Sequence, residues 1–151
     1  MNSTPSLFEP VAWRSRSRVH EVLMGEHCRW SISERQRALL NVLYGRCGRE
    51  NAIPIADLST RLKMQPREIK EAVRELRLNF SVPIGSARTG EGGYYLITSI
   101  EELMDTVRPY VGQAYSELAV ARALAGDLAV NEMLGQMQLA VDTSAKPQEA
   151  Q

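Results

Sequence analysis

At Asn79 the spacing of apolar residues changes from helical to alternating, and this switch limits what the chain can fold into. Upstream, Leu39, Leu40 and Leu43 form one stripe, Leu58 and Leu62 a second, and Ile69, Val73 and Leu76 a third. Each stripe has its own boundary signals. Ser33 and Gln36 have the spacing of a capping box, in which hydroxyl and amide satisfy free backbone N–H groups at a helix start, and Gly45 is a stop signal. Ile53-Pro-Ile55 reads as a short extended piece before a helix over Ala56 to Leu62. Lys63-Met64-Gln65 reads as a tight turn, and Pro66 suits the first position of a third helix, over 66–78, because its missing N–H is not needed there. Downstream, Val82, Ile84 and Ser86 alternate with Pro83 and Gly85, and Tyr94 and Leu96 alternate with Tyr95 and Ile97. Two short strands around the Gly-rich stretch "ARTGEGG" are therefore expected, with Pro83 placing the first at a sheet edge.

Beyond the hairpin, Ser99 and Glu102 repeat the capping-box spacing. Leu103, Val107, Tyr110, Ala114, Leu118, Ala121, Ala125 and Leu128 then recur at a 4-3 spacing close to a heptad seam. Pro109 and Gly112 predict a kink in it. Val130, Met133, Leu134, Met137 and Val141 give another apolar face, on a separate helix after Gly126-Asp127. The division expected is a flexible basic N-terminal arm over 1–30, a compact domain over 31–98, a C-terminal helical region over 99–141 and a disordered tail over 142–151. The arm carries Arg14, Arg16 and Arg18, with a short helix expected over Val19 to Trp30, anchored by Val19, Val22 and Trp30; Leu7, Phe8 and Trp13 are candidates for docking on a partner.

Composition excludes several classes. Hydrophobic residues are 44% of the chain, enough for a core, yet no apolar run approaches the ~18 residues of a membrane-spanning helix. The N-terminus lacks the apolar stretch of a secretory signal, and two cysteines make no disulfide framework, so a reducing, cytoplasmic setting is expected. His20, His27, Cys28 and Cys47 lack metal-ligand spacing, and no cofactor is expected. No nucleophile-elbow context surrounds any serine, and "GSARTGEGG" lacks the G-K-[ST] of a phosphate-binding loop and precedes a strand, so an enzyme is not expected. The net charge of zero hides an asymmetry: residues 29–98 carry 12 Lys and Arg against 7 Asp and Glu, and residues 99–151 carry 3 against 8. A basic middle with an acidic end fits either a polyanionic partner or two segments that complement each other.

Three helices followed by a Gly-tipped hairpin is the order of a winged helix-turn-helix. The stretch "LLNVLYGRCGRENAIPIADLSTRLKMQPREIKEAVRELRLNFSVPIGSARTGEGGYYL", with Gly93-Tyr94-Tyr95-Leu96 fitting a G-Y-x-L ending, resembles the winged-helix DNA-binding module of the biotin operon repressor and related bacterial regulators. It is also similar to small phage and prophage winged-helix proteins whose wing runs into a long helix. The resemblance covers about residues 33–98. It implies a mainly α fold with a small β-hairpin, and a long, kinked helical extension behind it. It also implies contact with double-stranded DNA, since the major groove is ~12 Å wide and accepts one helix. On that basis Gln65, Arg67, Lys70 and Arg74 are expected to point towards DNA, with Gln65 suited to adenine and Arg67 to guanine. Lys70, Arg74 and Arg77 suit phosphates, and Arg88 and Thr89 on the wing suit the adjacent minor groove or backbone. Glu68 and Glu71 depart from the pattern, standing where relatives often carry Thr or Arg.

The expected function is that of a bacterial or phage transcriptional regulator, cytoplasmic and nucleoid-associated. A homodimer through Leu103, Val107, Tyr110, Ala114, Leu118 and Ala121 would match a two-fold DNA site. The alternative use of that seam is packing within one molecule. The alternative function is a replication-accessory or assembly factor whose winged helix and C-terminal helices bind protein.

Overall fold

The computed structural model describes residues 11–26, 28–88, 90 and 92–145, without the side chains of 11–13 and 142–145. Those residues form six α-helices and one two-stranded hairpin, with no helix long and apolar enough to cross a membrane. The chain divides into two compact units, Met1–Val107 and Arg108–Gln151.

In the first unit the core grows from the three predicted stripes. Helix α2 (Glu34–Tyr44) starts on the Ser33–Gln36 capping box, both arms of which form, at 3.2 and 3.0 Å. It buries Leu39, Leu40 and Leu43. Helix α3 (Ile55–Leu62) buries Leu58 and ends on Lys63 in the left-handed conformation. Helix α4 (Pro66–Phe80) has Pro66 in its first turn and buries Ile69, Ala72, Val73, Leu76 and Phe80. It therefore runs one further half-turn beyond the expected 78, because Phe80 reaches the core.

Strands β1 (Ile84–Ala87) and β2 (Gly93–Leu96) pair antiparallel, with Ile84 opposite Leu96 and Ala87 opposite Gly93. The expected extended piece at 53–55 is shorter than that. Ile55 is already helical, and Ile53 alone bridges to Tyr94 through reciprocal backbone bonds of 2.9 and 3.0 Å. Gly93 makes this approach possible. Its φ is +122°, and a side chain there would collide with the Ile53 carbonyl. A short 3-10 turn, Arg49–Asn51, precedes Ile53. Both faces of β2 are covered: Tyr94 and Leu96 enter the main core, while Tyr95 lies over Gly85 and the Ile97 carbonyl accepts a hydrogen bond from Ser15.

That last bond corrects the expectation of a flexible arm for residues 11–24, while 1–10 lie outside the described residues. Helix α1 (Val11–Met24) buries Ser15, Val19 and Val22, at i, i+4 and i+7, in the same core. Its arginines are partly spent on the fold: Arg18 donates to the Phe80 carbonyl at 2.7 Å, and Arg16 to the Cys47 thiol at 3.3 Å. The helix stops at Met24, so Trp30 anchors nothing; it is 57% exposed under the Arg29 guanidinium. Leu7 and Phe8, and the side chain of Trp13, lie outside the described residues.

Helix α5 (Ile100–Ala125) passes through Pro109 as one helix, and the break comes at Gly126, with φ +83°. Helix α6 (Asp127–Ala145) follows, so the helical region extends past the expected 141, and 146–151 lie outside the described residues. The unit boundary at Val107 differs from the expected 98 because the first turns of α5 are tied to the first unit. The buried Glu102 carboxylate accepts from Arg49 N and Thr98 N, both at 2.8 Å, and from the Thr98 hydroxyl at 3.1 Å. Burial alone would push this carboxyl up, but these hydrogen bonds, with the nearby Arg49 charge, hold it below its ordinary value. The Ser99 half of the second capping box forms, at 3.1 Å to Glu102 N. Arg49 also pairs with Asp105 at 2.7 Å, which together with Tyr95 raises its pKa.

Candidate nucleic-acid interface

Helix α4 has three longitudinal zones. The buried zone fixes the helix against α2 and α3. An acidic flank, Glu68, Glu71 and Glu75, borders a cleft shared with Ser33, Arg35 and Gln36. There Glu68 accepts from Arg35 at 2.6 Å and from Gln65 N at 2.8 Å, which caps the helix start, and Glu75 accepts from the Gln36 amide at 2.6 Å. The third zone faces solvent. Arg67, Lys70 and Arg74, at i, i+3 and i+7, share it, and all are exposed.

This geometry explains the two glutamates that looked out of place. Glu68 is consumed as helix cap and ion-pair partner, and Glu75 ties α4 to α2. Glu71 alone reaches the solvent-facing zone, accepting from Arg67 at 3.2 Å. Both side chains are largely exposed, 89% and 60%, so this pair contributes little and is easily exchanged for another anion. Lys70 and Arg74 make no ion pair among the described residues. Gln65 is exposed at the N-terminal end of the helix.

Arg77, expected to reach phosphate, is placed otherwise. Its Nε donates to the Ile84 carbonyl at 2.9 Å and its Nη2 to the Ser86 hydroxyl at 2.9 Å, and its guanidinium lies 6.0 Å from the Tyr94 ring centroid. Half-buried, it braces the hairpin on α4 rather than facing outward. Three residues beyond Arg74 it lies along the same side of the helix, and it is the hairpin folded against α4 that engages its guanidinium. Arg88 is exposed just after β1, and Thr89 lies outside the described residues. Leu78, which sequence reasoning passed over, is 67% exposed and continues the solvent-facing zone one turn beyond Arg74. Its spacing of four from Arg74 was the available signal.

The seam residues divide between the two units. Leu103 and Val107 fall in the first, 36% and 39% exposed. Tyr110, Ala114, Leu118 and Ala121 fall in the second, the first two exposed and the last two half-buried. Among the described residues, no group of three or more His, Cys, Asp or Glu side chains converges as a metal site would require. Comparison with protein-family models, curated proteins and solved structures finds no match for the chain.

Proposed function

We propose that α2, α3, α4 and the hairpin form a winged helix that binds double-stranded DNA, with α4 in the major groove and the hairpin as the wing. The observation that carries this reading is the sorting of charge on α4. Glu68 and Glu75 are turned towards α2, Glu71 is engaged by Arg67, and Arg67, Lys70 and Arg74 occupy the solvent-facing zone. A helix seated in a groove needs this division: one apolar side to rest on its own domain and one cationic side for phosphates and base edges. Supporting it, Arg77 fixes the hairpin to the same helix, so Arg88 and α4 are held on one rigid frame. Arg67 is the residue suited to guanine, Gln65 to adenine, and Lys70 and Arg74 to phosphate. Action as a bacterial or phage transcriptional regulator on a two-fold site follows if the C-terminal helices pair two copies.

A second reading, a replication-accessory or assembly factor that binds protein, draws on the many exposed apolar side chains of α5 and α6. The two readings separate on salt. Binding of the full chain to duplex DNA through Lys70, Arg74, Arg67 and Arg88 should fall with log-log slope of about −3.6 for four phosphates. Absence of DNA binding at low salt, or binding indifferent to salt, would overturn the first reading.

A further inference from the structure

The turn that joins α3 to α4 holds a lysine where the backbone favours a glycine. Lys63 ends α3 with φ 52° and ψ 41°, in the left-handed region. A Cβ is crowded by the following carbonyl there, whereas glycine enters without steric cost. Among the described residues, Lys63 and Ser81 are the two non-glycine residues with positive φ. The conformation at 63 is imposed by the turn. Lys63 N–H and Met64 N–H both donate to the Ser59 carbonyl, the second at 3.3 Å, and the Ser59 hydroxyl donates to the Met64 carbonyl at 2.6 Å. Met64 is seated in the core, and Lys63 beside it is exposed. The fold makes little use of the ammonium group. It forms no ion pair among the described residues, and Arg61 already supplies positive charge in the last turn of α3.

We propose that Lys63 contacts a DNA phosphate at the edge of the groove that receives α4. This inference rests on the reading of α4 as the groove-bound helix and adds a contact which that reading does not contain. Gln65, the N-cap of α4, lies two residues beyond Lys63, and two residues of chain span at most about 7 Å. A major groove about 12 Å wide is bordered by phosphates on both sides. With Gln65 and Arg67 at the base edges, an exposed cation whose Cα lies within about 7 Å of Gln65 stands at that border. Lysine suits the place, because its ammonium is a compact charge on a flexible stem and binds phosphate without a fixed planar geometry. The bonded turn and the buried Met64 hold the Lys63 backbone in a set position at the start of α4. Such a contact positions the helix and reads no sequence. Lys63 becomes a fifth phosphate contact beside the four of α4 and the wing, and the expected salt slope of the full chain steepens from about −3.6 to about −4.5.

The test is fluorescence anisotropy of the full-length chain on a mixed-sequence duplex across a salt series, beside Lys63→Gly, Lys63→Arg and Ser81→Gly, with a thermal melt of each. Glycine relieves the left-handed residue at either position, so both glycine variants should melt no lower than the unmodified chain. Lys63→Gly should nevertheless bind with a log-log slope shallower by about 0.9, a loss of about eightfold at 0.1 M salt relative to 1 M. Ser81→Gly, with the same backbone relief and no charge lost, should keep the unmodified slope, as should Lys63→Arg. No binding by the unmodified chain at low salt would overturn the reading of α4 and this inference with it. Steep salt dependence in the unmodified chain, with the same slope in Lys63→Gly, would overturn this inference alone. Equal flattening in Lys63→Gly and Ser81→Gly would overturn it too, since the cause would then be the backbone and not the charge.

Discussion

Replacing Arg77 by methionine keeps the aliphatic stem and removes the guanidinium, and so measures the brace between α4 and the hairpin. Two hydrogen bonds at 2.9 Å and the contact with the Tyr94 ring are lost together. Hydrogen bonds to charged groups contribute roughly 1.5–3 kcal/mol, and a cation–π contact about 0.5–1 where exposed. Arg77 is half-buried, so the lower ends apply, and water can replace part of each bond. A loss of about 2–3 kcal/mol is expected for Arg77→Met by urea denaturation, with the slope of the transition unchanged. Affinity for DNA should fall only as far as the wing loosens. If stability changed by less than about 0.5 kcal/mol while DNA affinity dropped and the salt dependence became shallower, Arg77 would be a phosphate contact and the bracing role would be refuted.

Glu71→Gln removes the one carboxylate reaching the solvent-facing zone of α4 and frees Arg67; DNA affinity should rise several-fold at low salt, measured by fluorescence anisotropy, with stability within about 0.5 kcal/mol because the pair is exposed. Glu102 has a folded-state pKa below its ordinary value of 4.5, so its contribution is complete above that value and is lost as pH falls through the folded value. Glu102→Gln should therefore be less stable than the native chain at neutral pH, by about 1–3 kcal/mol, and the difference should narrow below pH 4.5 in parallel thermal melts.

The elements legible in the sequence were those whose boundaries rest on local chemistry. Ser33 with Gln36, Pro66 after a three-residue turn, and Gly126 before Asp127 each marked a real helix boundary. The change of period at Asn79 located the hairpin to within a residue or two. What escaped depended on contacts distant in the chain. Helix α1 looked like a basic arm because Ser15 and Arg18 find their partners, Ile97 and Phe80, more than 60 residues away. Arg77 looked like its neighbour Arg74, and only the hairpin folding back onto α4 distinguishes them. Glu68 and Glu71 could not be told apart until Arg35 was seen beside the first. Pro109 does not end the helix: α5 runs from Ile100 to Ala125 with the proline inside it.

The central claim is that the solvent-facing zone of α4 meets phosphate. It is tested most directly by the salt dependence of duplex binding for the unmodified chain and for Lys70→Gln with Arg74→Gln. Both residues are exposed, so the double variant should keep the native melting temperature within a few degrees. Each lost phosphate contact should make the log-log slope shallower by about 0.9, or roughly 1.8 for the pair. An unchanged slope, with affinity equal to that of the unmodified chain, would contradict the account and remove α4 from any interface with DNA.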